Sequence, residues 1–235
     1  MLSAVPGLRH GFTDRRGGVS QGRFASLNLG RKWGDDAEAV DENLRRVAEA
    51  GAYAPASLRR VEQVHGGDVL AATTLTDASE ADGLLCRNGD GLTVAVSTAD
   101  CVPVLIADRE GTVAAAVHSG WRSTVVRIVE TAVAALEADP SRLVAAIGPC
   151  IERGAFEVGP EVAEQFDPVY VDLEGYAKPH VDLVGVVRSQ LQRAGLRADA
   201  IERVGACTHA HPDRYFSYRR DGAGTGQMMS FVGYA

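Results

Sequence analysis

Residues 92–120, LTVAVSTADCVPVLIADREGTVAAAVHSG, decide the fold class of this chain. Leu92–Asp108 is typical of two apolar strands that are interrupted between Thr98 and Pro103. Thr112–Val117 predicts another strand, which ends in a turn at His118. The stretch therefore predicts buried strands joined by tight turns, and those turns contain residues with reactive side chains.

Helical and strand patterns flank this stretch on both sides. Ala37–Ala50 predicts a helix because Val40, Leu44 and Val47 repeat on one face. Further helices are predicted over 122–138, 160–166 and 181–194, and further strands over 61–72, 143–147, 201–206 and the end of the chain. Because strands and helices mix without steady alternation, we predict a single domain over residues 1–235 with an α/β (α+β) mixed-sheet sandwich.

The composition is that of an ordinary soluble protein, with 46% hydrophobic and 23% charged residues. No apolar run approaches the roughly 18 residues of a membrane span, and the N-terminus lacks the pattern of a signal peptide. We therefore expect a cytoplasmic protein without a membrane partner. A net charge of -7 argues against a nucleic-acid partner, because phosphate binding favours basic surfaces.

The cysteines and the absent loop motifs limit the chemistry further. The four cysteines form no CxxC pair, so a disulfide is not expected in a reducing compartment. Cys86, Cys150 and Cys207 are expected to pack as small buried hydrophobes. The chain has neither GxGxxG nor a Walker-type loop, so neither a dinucleotide nor ATP is indicated.

Three residues in turn motifs are candidates for a metal site. His65 lies in QVHGGD, Cys101 in TADC and His118 in AVHSGW. Two imidazoles and a thiolate suit zinc and leave a fourth position open for water or substrate. Spacing alone does not show that the three residues meet. The same residues also allow a second interpretation, in which Cys101 is a nucleophile and His118 its base.

Two further motifs have alternative interpretations. Gly120-Trp121-Arg122 stands at a predicted helix start, where free N–H groups and Arg122 would favour an anion. Arg122 would otherwise be an ordinary surface residue of the first turn. His209 and His211 in THAHPD are either a second metal site or solvent-facing histidines.

Taken in order, the motifs resemble one family. They are HGFTDRRGGVSQGRFASLNLG, QVHGGDV, TADCVPVLIAD, AAVHSGWRS, IGPCI, FEVGPEV, CTHAHPDRYFSYRRDG and TGQMM, from about residue 10 to residue 231. This combination resembles the YfiH / laccase-domain family, whose members are described as multicopper polyphenol oxidases and as purine nucleoside phosphorylases. The resemblance implies a metal site of His65, Cys101 and His118, with Zn²⁺ as the principal ion and Cu²⁺ as the alternative.

The resemblance also implies activities. It implies phosphorolysis of adenosine, inosine, guanosine and methylthioadenosine, together with adenosine deaminase activity. The fold implied is shared with the cytotoxic necrotizing factor toxins, in which a Cys and a His carry out deamidation. The alternatives are therefore a cysteine-type hydrolase or amidase that uses Cys101 and His118 in peptidoglycan precursor editing, and a copper-dependent polyphenol oxidase.

The expected partners are a purine nucleoside and phosphate, with the protein a monomer or a small homo-oligomer. The expected catalytic residues are Cys101, His118 and Arg122, and the expected substrate-binding residues are Asn28, Gln63, Arg122 and Arg219. Arg122 is assigned to phosphate, and Arg220 is as eligible as Arg219 to line the cleft.

The sequence departs from the family pattern at a few positions. Ser119 and Ser123 replace the small residues of the usual His-Ala-Gly-Trp-Arg-Gly motif, so a more polar pocket wall is expected. Gln227 stands where Arg is common, which removes one oxyanion contact.

Overall fold

A computed structural model describes residues 1–234 and contains two larger β-sheets, one two-stranded sheet and helices outside them. The strands are β1 (Leu8–Phe12), β2 (Leu58–Arg59), β3 (Val69–Ala71), β4 (Gly83–Arg87), β5 (Thr93–Thr98), β6 (Val102–Asp108), β7 (Val113–Ser119), β8 (Leu143–Ile147), β9 (Val171–Asp172), β10 (His180–Val181), β11 (Ile201–Arg203) and β12 (Met228–Tyr234). The α-helices are α1 (Ala37–Ala50), α2 (Trp121–Val125), α3 (Ile128–Ala135), α4 (Pro160–Ala163), α5 (Leu183–Arg193) and α6 (Tyr218–Asp221).

Both larger sheets are mixed. The six-stranded sheet has the order β11-β8-β6-β7-β4-β3, with parallel pairs at its two edges, β11 with β8 and β3 with β4. The four-stranded sheet has the order β1-β12-β5-β2, in which only β2 and β5 run parallel. A short hairpin of β9 and β10 stands apart from both sheets.

Side chains alternate between the two faces of each strand, and this alternation defines the packed layers of the sandwich. On β5, Val94 and Val96 pack between the sheets, whereas Ala95 faces the cluster that includes Val47 of α1. On the six-stranded sheet, residues such as Leu105 face the other sheet, and their neighbours face α3 and α5. Adjacent residues on a strand point to opposite faces, so both sheets are covered on both sides. The mixed-sheet α/β sandwich is thus confirmed.

The first helix has the predicted bounds. The side chain of Asp36 accepts a hydrogen bond from the N–H of Glu38 (3.0 Å) and caps the helix. Val40 and Val47 are buried on one face of α1, as their spacing predicts. Local capping and periodicity therefore agree for this element.

Two predicted elements are wrong, and both lie beside the candidate site. The helix predicted over 122–138 is divided into α2 and α3, because Arg127 between them adopts a left-handed φ of 61°. The strand predicted over 61–72 forms only at β3. His65 lies in a bend with a φ of 60°, which interrupts strand geometry.

Other boundaries are shorter than expected. The helix predicted over 160–166 ends at Ala163, and the strand predicted over 201–206 ends at Arg203. Among residues 1–234, no helix is long and apolar enough to cross a membrane.

Two of the connections that cross between the two larger sheets position the candidate site. The chain from β2 to β3 passes from the four-stranded to the six-stranded sheet and contains His65. The three-residue turn from β5 to β6 makes the same crossing and contains Cys101. His118 lies near the end of β7, opposite Pro103 of β6. The three residues therefore meet at one end of the sandwich.

Candidate metal centre

The structure brings together the three residues that were expected to hold a metal. One ligand atom from each of His65, Cys101 and His118 lies within 4.8 Å of the others. The imidazole rings of His65 and His118 meet edge to face, with centroids 4.8 Å apart. His118 is buried, Cys101 is half-buried and His65 is exposed, so the centre opens to solvent on the His65 side.

Gly120 provides the space in which the three ligands converge. A Cβ atom at this position would lie 2.9 Å from Cδ2 of His65, 3.1 Å from Sγ of Cys101 and 3.7 Å from Cε1 of His118. Gly120 has an ordinary φ of -70°, so its glycine is required for space and not for backbone freedom. The close approach explains why the turn after β7 lacks a side chain here.

Asp82, which the sequence did not single out, connects two of the ligands. Its Oδ1 lies 2.6 Å from Nδ1 of His118, and its backbone carbonyl accepts the His118 N–H at 2.7 Å. Its Oδ2 accepts the N–H groups of Val64 (3.2 Å) and Gly66 (2.6 Å), which flank His65. Asp82 thus orients one imidazole directly and the other through its loop.

Asp82 has one sequence signal, its position directly before the buried strand β4. It shares a strand face with Leu84 and Cys86, which point between the sheets. Its partner, however, depends on the pairing of Gly83 with Val117, which places β4 beside β7. This long-range register is not contained in the local sequence.

The electrostatics favour an ionised thiol at the centre. Burial opposes ionisation of Cys101, but the neighbouring His118 and His65 outweigh it and lower the pKa of the thiol to about 6. Burial opposes protonation of His118, but Cys101 and Asp82 raise its pKa to about 9. Burial likewise opposes the charge on Asp82, yet the hydrogen bonds from His118 and Gly66 lower the pKa of Asp82. These shifts in pKa favour a thiolate beside an imidazolium when no metal is bound.

The donor set and its spacing fit a zinc ion. A tetrahedral zinc with bonds of about 2.0–2.3 Å requires ligand atoms roughly 3.3–3.8 Å apart. Side-chain movement of about 1 Å, which the exposed His65 allows, would bring the trio into that range. Asp82 occupies Nδ1 of His118, so Nε2 is the nitrogen left for a metal. Copper also binds imidazole and thiolate, so the donors alone do not decide between the two ions.

Asn28 and Gln63 are engaged in hydrogen bonds within the protein. The buried Asn28 amide donates to Gly30 and Asp35, and its oxygen accepts from the N–H groups of Gly30 and Gln227. Gln63 exchanges two hydrogen bonds with the backbone of Ser97, at 2.7 and 2.9 Å. Both side chains hold loops in place, and their contact with substrate stays a prediction.

Arg122 lies two residues after Gly120 and is exposed. Its Cζ atom stacks 4.4 Å from the centroid of the Trp121 ring. Within residues 1–234 its guanidinium has neither a hydrogen bond nor an ion pair, so all of its donors remain for a ligand. Helix α2 is only 5 residues long, so the expected contribution of a helix dipole here is small and the side chain is the main attraction for an anion.

Arg219 and Arg220 have different surroundings. Arg220 donates to the backbone carbonyls of Thr208, His209 and Tyr215 and pairs with Asp221, so it stabilises its own loop. The exposed Arg219 donates one hydrogen bond to the carbonyl of Glu157 (2.6 Å) and lies over the ring of Phe156. Of these two arginines, Arg219 has the more available guanidinium.

The remaining cysteines and histidines lie outside this centre. Cys86, Cys150 and Cys207 are buried and unpaired, which confirms their predicted packing role. Among the described residues, the trio is the cluster with converging ligand atoms, and neither His209 nor His211 belongs to it. Surface cavities of about 410 and 320 Å³ lie beside β1 and contain none of the predicted site residues.

Comparison with known proteins relates this geometry to a family. Residues 9–235 match the family described as "Multi-copper polyphenol oxidoreductase laccase". The chain is 39% identical to "Purine nucleoside phosphorylase YfiH" of Escherichia coli (strain K12), over 94% of this chain and 91% of the relative. It is 40% identical to "Purine nucleoside phosphorylase" of Deinococcus radiodurans, over 98% of this chain and 89% of the relative.

Solved structures give the same result. YlmD from Geobacillus stearothermophilus superposes with a TM-score of 0.89 at 31% identity and covers 98% of this chain and 93% of its own. Protein NMB0706 of Neisseria meningitidis superposes with a TM-score of 0.88 at 35% identity and covers 98% and 96%. This chain therefore belongs to the YfiH / laccase-domain family, the multi-copper polyphenol oxidoreductase laccase family.

Proposed function

We propose that this protein is a zinc-dependent purine nucleoside phosphorylase with adenosine deaminase activity at the same site. The observation that supports this most is the convergence of His65, Cys101 and His118. Arg122, two residues after Gly120, adds a guanidinium that has no partner among the described residues. The names of the relatives in Escherichia coli and Deinococcus radiodurans support the substrate class. The proposed nucleosides are adenosine, inosine, guanosine and methylthioadenosine.

Phosphorolysis requires charge stabilisation at two places. Cleavage of the ribosyl C–N bond builds positive charge on the sugar and negative charge on the leaving purine, so fixed charges matter more than a covalent nucleophile. A zinc ion held by His65, Cys101 and His118 would supply a Lewis acid, a role that suits both phosphorolysis and hydrolytic deamination. Arg122 binds the phosphate, and its stacking on Trp121 limits the positions of its guanidinium.

Asp82 and His118 have a supporting role in this proposal. The Asp82 carboxylate holds the proton on Nδ1 of His118, so the ring presents Nε2 towards the metal position. The same carboxylate fixes the backbone around His65. The ligands are therefore oriented before a metal or a substrate arrives, which reduces the reorganisation needed for binding.

Product analysis tests the proposal. The purified protein is incubated with adenosine or inosine, with and without phosphate, and its metal content is measured. We expect free base and ribose-1-phosphate only when phosphate is present, and loss of both products in Cys101→Ala and after chelation. Inosine formed from adenosine without phosphate would report deamination. A zinc-loaded protein that yields none of these products would reject the nucleoside proposal.

A variant of Arg122 tests the phosphate contact separately. We expect Arg122→Ala to raise the KM for phosphate about tenfold or more, because it removes a charge-assisted contact of roughly 1.5–3 kcal/mol. Arg197→Ala is the matched control, since Arg197 is also exposed but pairs with Asp199. An unchanged phosphate KM in Arg122→Ala would reject this assignment.

The cysteine hydrolase is a second candidate because of one specific observation. Cys101, His118 and Asp82 have the order of nucleophile, base and orienting carboxylate, and the pKa of the thiol is lowered to about 6. This arrangement would suit amide substrates such as peptidoglycan precursors. Amide cleavage by the metal-free protein, lost in Cys101→Ser and inhibited by zinc, would support the hydrolase over the phosphorylase.

Copper-dependent phenol oxidation is the third possibility that the family description raises. A multicopper centre uses many more histidines than the single trio found among residues 1–234. We therefore propose that phenol oxidation, if it occurs, is limited to protein whose trio holds copper. Phenol oxidation by the zinc-loaded, copper-free protein would contradict this.

A further inference from the structure

Asp100 is a buried carboxylate directly before the candidate ligand Cys101. Its Oδ1 accepts a hydrogen bond from Oγ1 of Thr208 (2.5 Å). Its Oδ2 accepts from Oγ of Ser217 (3.0 Å) and from the backbone N–H of Arg219 (2.6 Å). Its backbone carbonyl accepts the N–H of Ile151 at 2.8 Å. The residue therefore links its own turn to two other segments of the chain.

All three donors to the Asp100 carboxylate, two hydroxyls and one backbone N–H, come from one segment, residues 207–221, which we name the C-terminal arm. The arm ends in α6 and includes Arg219, whose guanidinium reaches the carbonyl of Glu157. Among the described residues, no charged side chain of a lysine, arginine or histidine pairs with Asp100. The carboxylate is thus satisfied by neutral donors alone, and these donors become unsatisfied buried groups if it is removed.

The backbone of Asp100 shows how tightly this turn is constrained. Its φ is 96°, a conformation that a non-glycine residue keeps only when its surroundings enforce it. Only three residues connect β5 to β6, and Cys101 is the last of them. The torsion angles of Asp100 therefore set the direction in which the thiol of Cys101 points.

We propose that Asp100 is a positioning residue that couples the Cys101 thiolate to the C-terminal arm. It holds the thiol in the direction required by the metal centre and anchors the backbone N–H of Arg219 at the same time. The effect on Arg219 rests on the proposed function together with the expectation that Arg219 binds substrate. The effect on the metal centre does not depend on that function.

Two substitutions separate backbone conformation from hydrogen bonding. Asp100→Gly permits the positive φ but removes both carboxylate oxygens and with them all three hydrogen bonds to the arm. Asp100→Asn also tolerates the positive φ. Its side-chain oxygen can still accept from Ser217 and Arg219, and its NH₂ group can donate to Oγ1 of Thr208. We expect Asp100→Gly to weaken zinc binding about tenfold or more, the size seen when a group that orients a ligand is lost. We expect Asp100→Asn to remain within about threefold of wild type, since it preserves these contacts.

The measurements are zinc affinity by chelator competition, the thiolate-to-Co²⁺ absorption band of the cobalt-loaded protein, and the KM for nucleoside and phosphate. Asp100→Gly should weaken zinc binding, shift the cobalt band and raise KM more than it lowers kcat. Asp108→Asn is the control, because Asp108 is also buried but lies at the far end of β6, bound to Thr112 and Arg142. It should lower the melting temperature and leave the cobalt band unchanged.

The result that overturns the proposal is an Asp100→Gly protein that loses stability but keeps its zinc affinity, cobalt band and KM within twofold. If this variant does not fold, Thr208→Val and Ser217→Ala each remove one donor, and unchanged zinc affinity and cobalt band in both would overturn the proposal equally. A wild-type protein without phosphorolysis rejects the proposed function only. The zinc affinity and cobalt band still decide the role of Asp100 in that case.

Discussion

Substitution of Gly120 by alanine adds one methyl group at the point where the three candidate ligands converge. The new Cβ atom would lie 2.9 Å from Cδ2 of His65 and 3.1 Å from Sγ of Cys101. Ordinary van der Waals contact begins at 3.4 Å, so the His65 ring must withdraw by about 0.5 Å. Zinc sites tolerate bond-length departures of only about 0.2 Å. The methyl group and a bound metal therefore compete for the same position of His65.

The added methyl group of Gly120→Ala is expected to destabilise mainly the metal-bound protein. Overpacking by one methyl group costs about 1–3 kcal/mol when the surroundings cannot move. In the metal-free protein, His65 is exposed and can swing outwards, so the methyl group is accommodated there. Because 1.36 kcal/mol is a factor of ten, we expect Gly120→Ala to weaken zinc binding roughly 5- to 150-fold. The φ of -70° at Gly120 suits alanine, so no backbone strain adds to this value.

Chelator competition gives the zinc affinity, and thermal unfolding of the chelated protein gives the stability of the metal-free state. Gly66→Ala is a matched control in the His65 loop, because its Cβ would make only ordinary contacts, 3.6 Å from Val64 and 3.7 Å from Asp82. We expect a weakened zinc affinity in Gly120→Ala alone, with little change in the unfolding of either chelated variant. Equal zinc affinity in Gly120→Ala and wild type would refute the reasoning. The reasoning would also be refuted if Gly120→Ala lowered the free energy of unfolding of the metal-free protein by as much as it lowered the free energy of zinc binding.

Three further predictions concern the same centre. Asp82→Ala should weaken zinc binding about 10- to 100-fold in chelator competition, because Nδ1 of His118 loses its acceptor. An unchanged zinc affinity would show that Asp82 does not orient the ligands. Between about pH 6 and 9 the Cys101 thiol is expected to be ionised and His118 protonated. Zinc binding then releases one proton, so the apparent zinc affinity should rise about tenfold per pH unit. A zinc affinity that calorimetry finds independent of pH across this range would contradict the prediction. His118→Ala should lower the free energy of unfolding of the metal-free protein by about 3–5 kcal/mol, since it leaves the buried Asp82 charge unpaired. His65→Ala, at an exposed position, should change the urea midpoint little. Equal effects of the two variants in urea titration would contradict the burial argument.

The strands and the first helix could be predicted because their signals are local. Leu92–Asp108 contains two apolar runs, and the structure has β5 and β6 there with the break between them. Helix α1 has both a cap and an apolar stripe, and its bounds are the predicted ones. The order of strands in the two sheets was not predictable, because it depends on pairings such as β12 with β5, which joins residues more than a hundred positions apart.

The candidate site was only partly accessible from sequence. The trio was proposed from residue chemistry, and the resemblance to a family then connected its members. Asp82 and Gly120 were not identified as parts of the centre, because each acts through a spatial neighbour. Asp82 meets His118 through the register of β4 with β7, and the space at Gly120 is defined by side chains from three segments. Local sequence specifies neither relation.

Two residues with unusual backbone torsion angles lie at the candidate site. The predicted strand over 61–72 is interrupted at His65, and the turn before Cys101 contains Asp100 with a φ of 96°. A natural sequence is locally consistent wherever it can be, so departures of this kind persist only where surrounding contacts enforce them. At His65 the contacts come from Asp82, and at Asp100 they come from the C-terminal arm. Both departures lie on chain segments that cross from one sheet to the other, so a metal held by His65 and Cys101 would tie these two crossings together. Zinc binding should consequently stabilise this end of the sandwich by an amount that grows with the logarithm of the free zinc concentration over Kd, and the enforced backbone at His65 and Asp100 indicates that the fold prepares this end for a ligand.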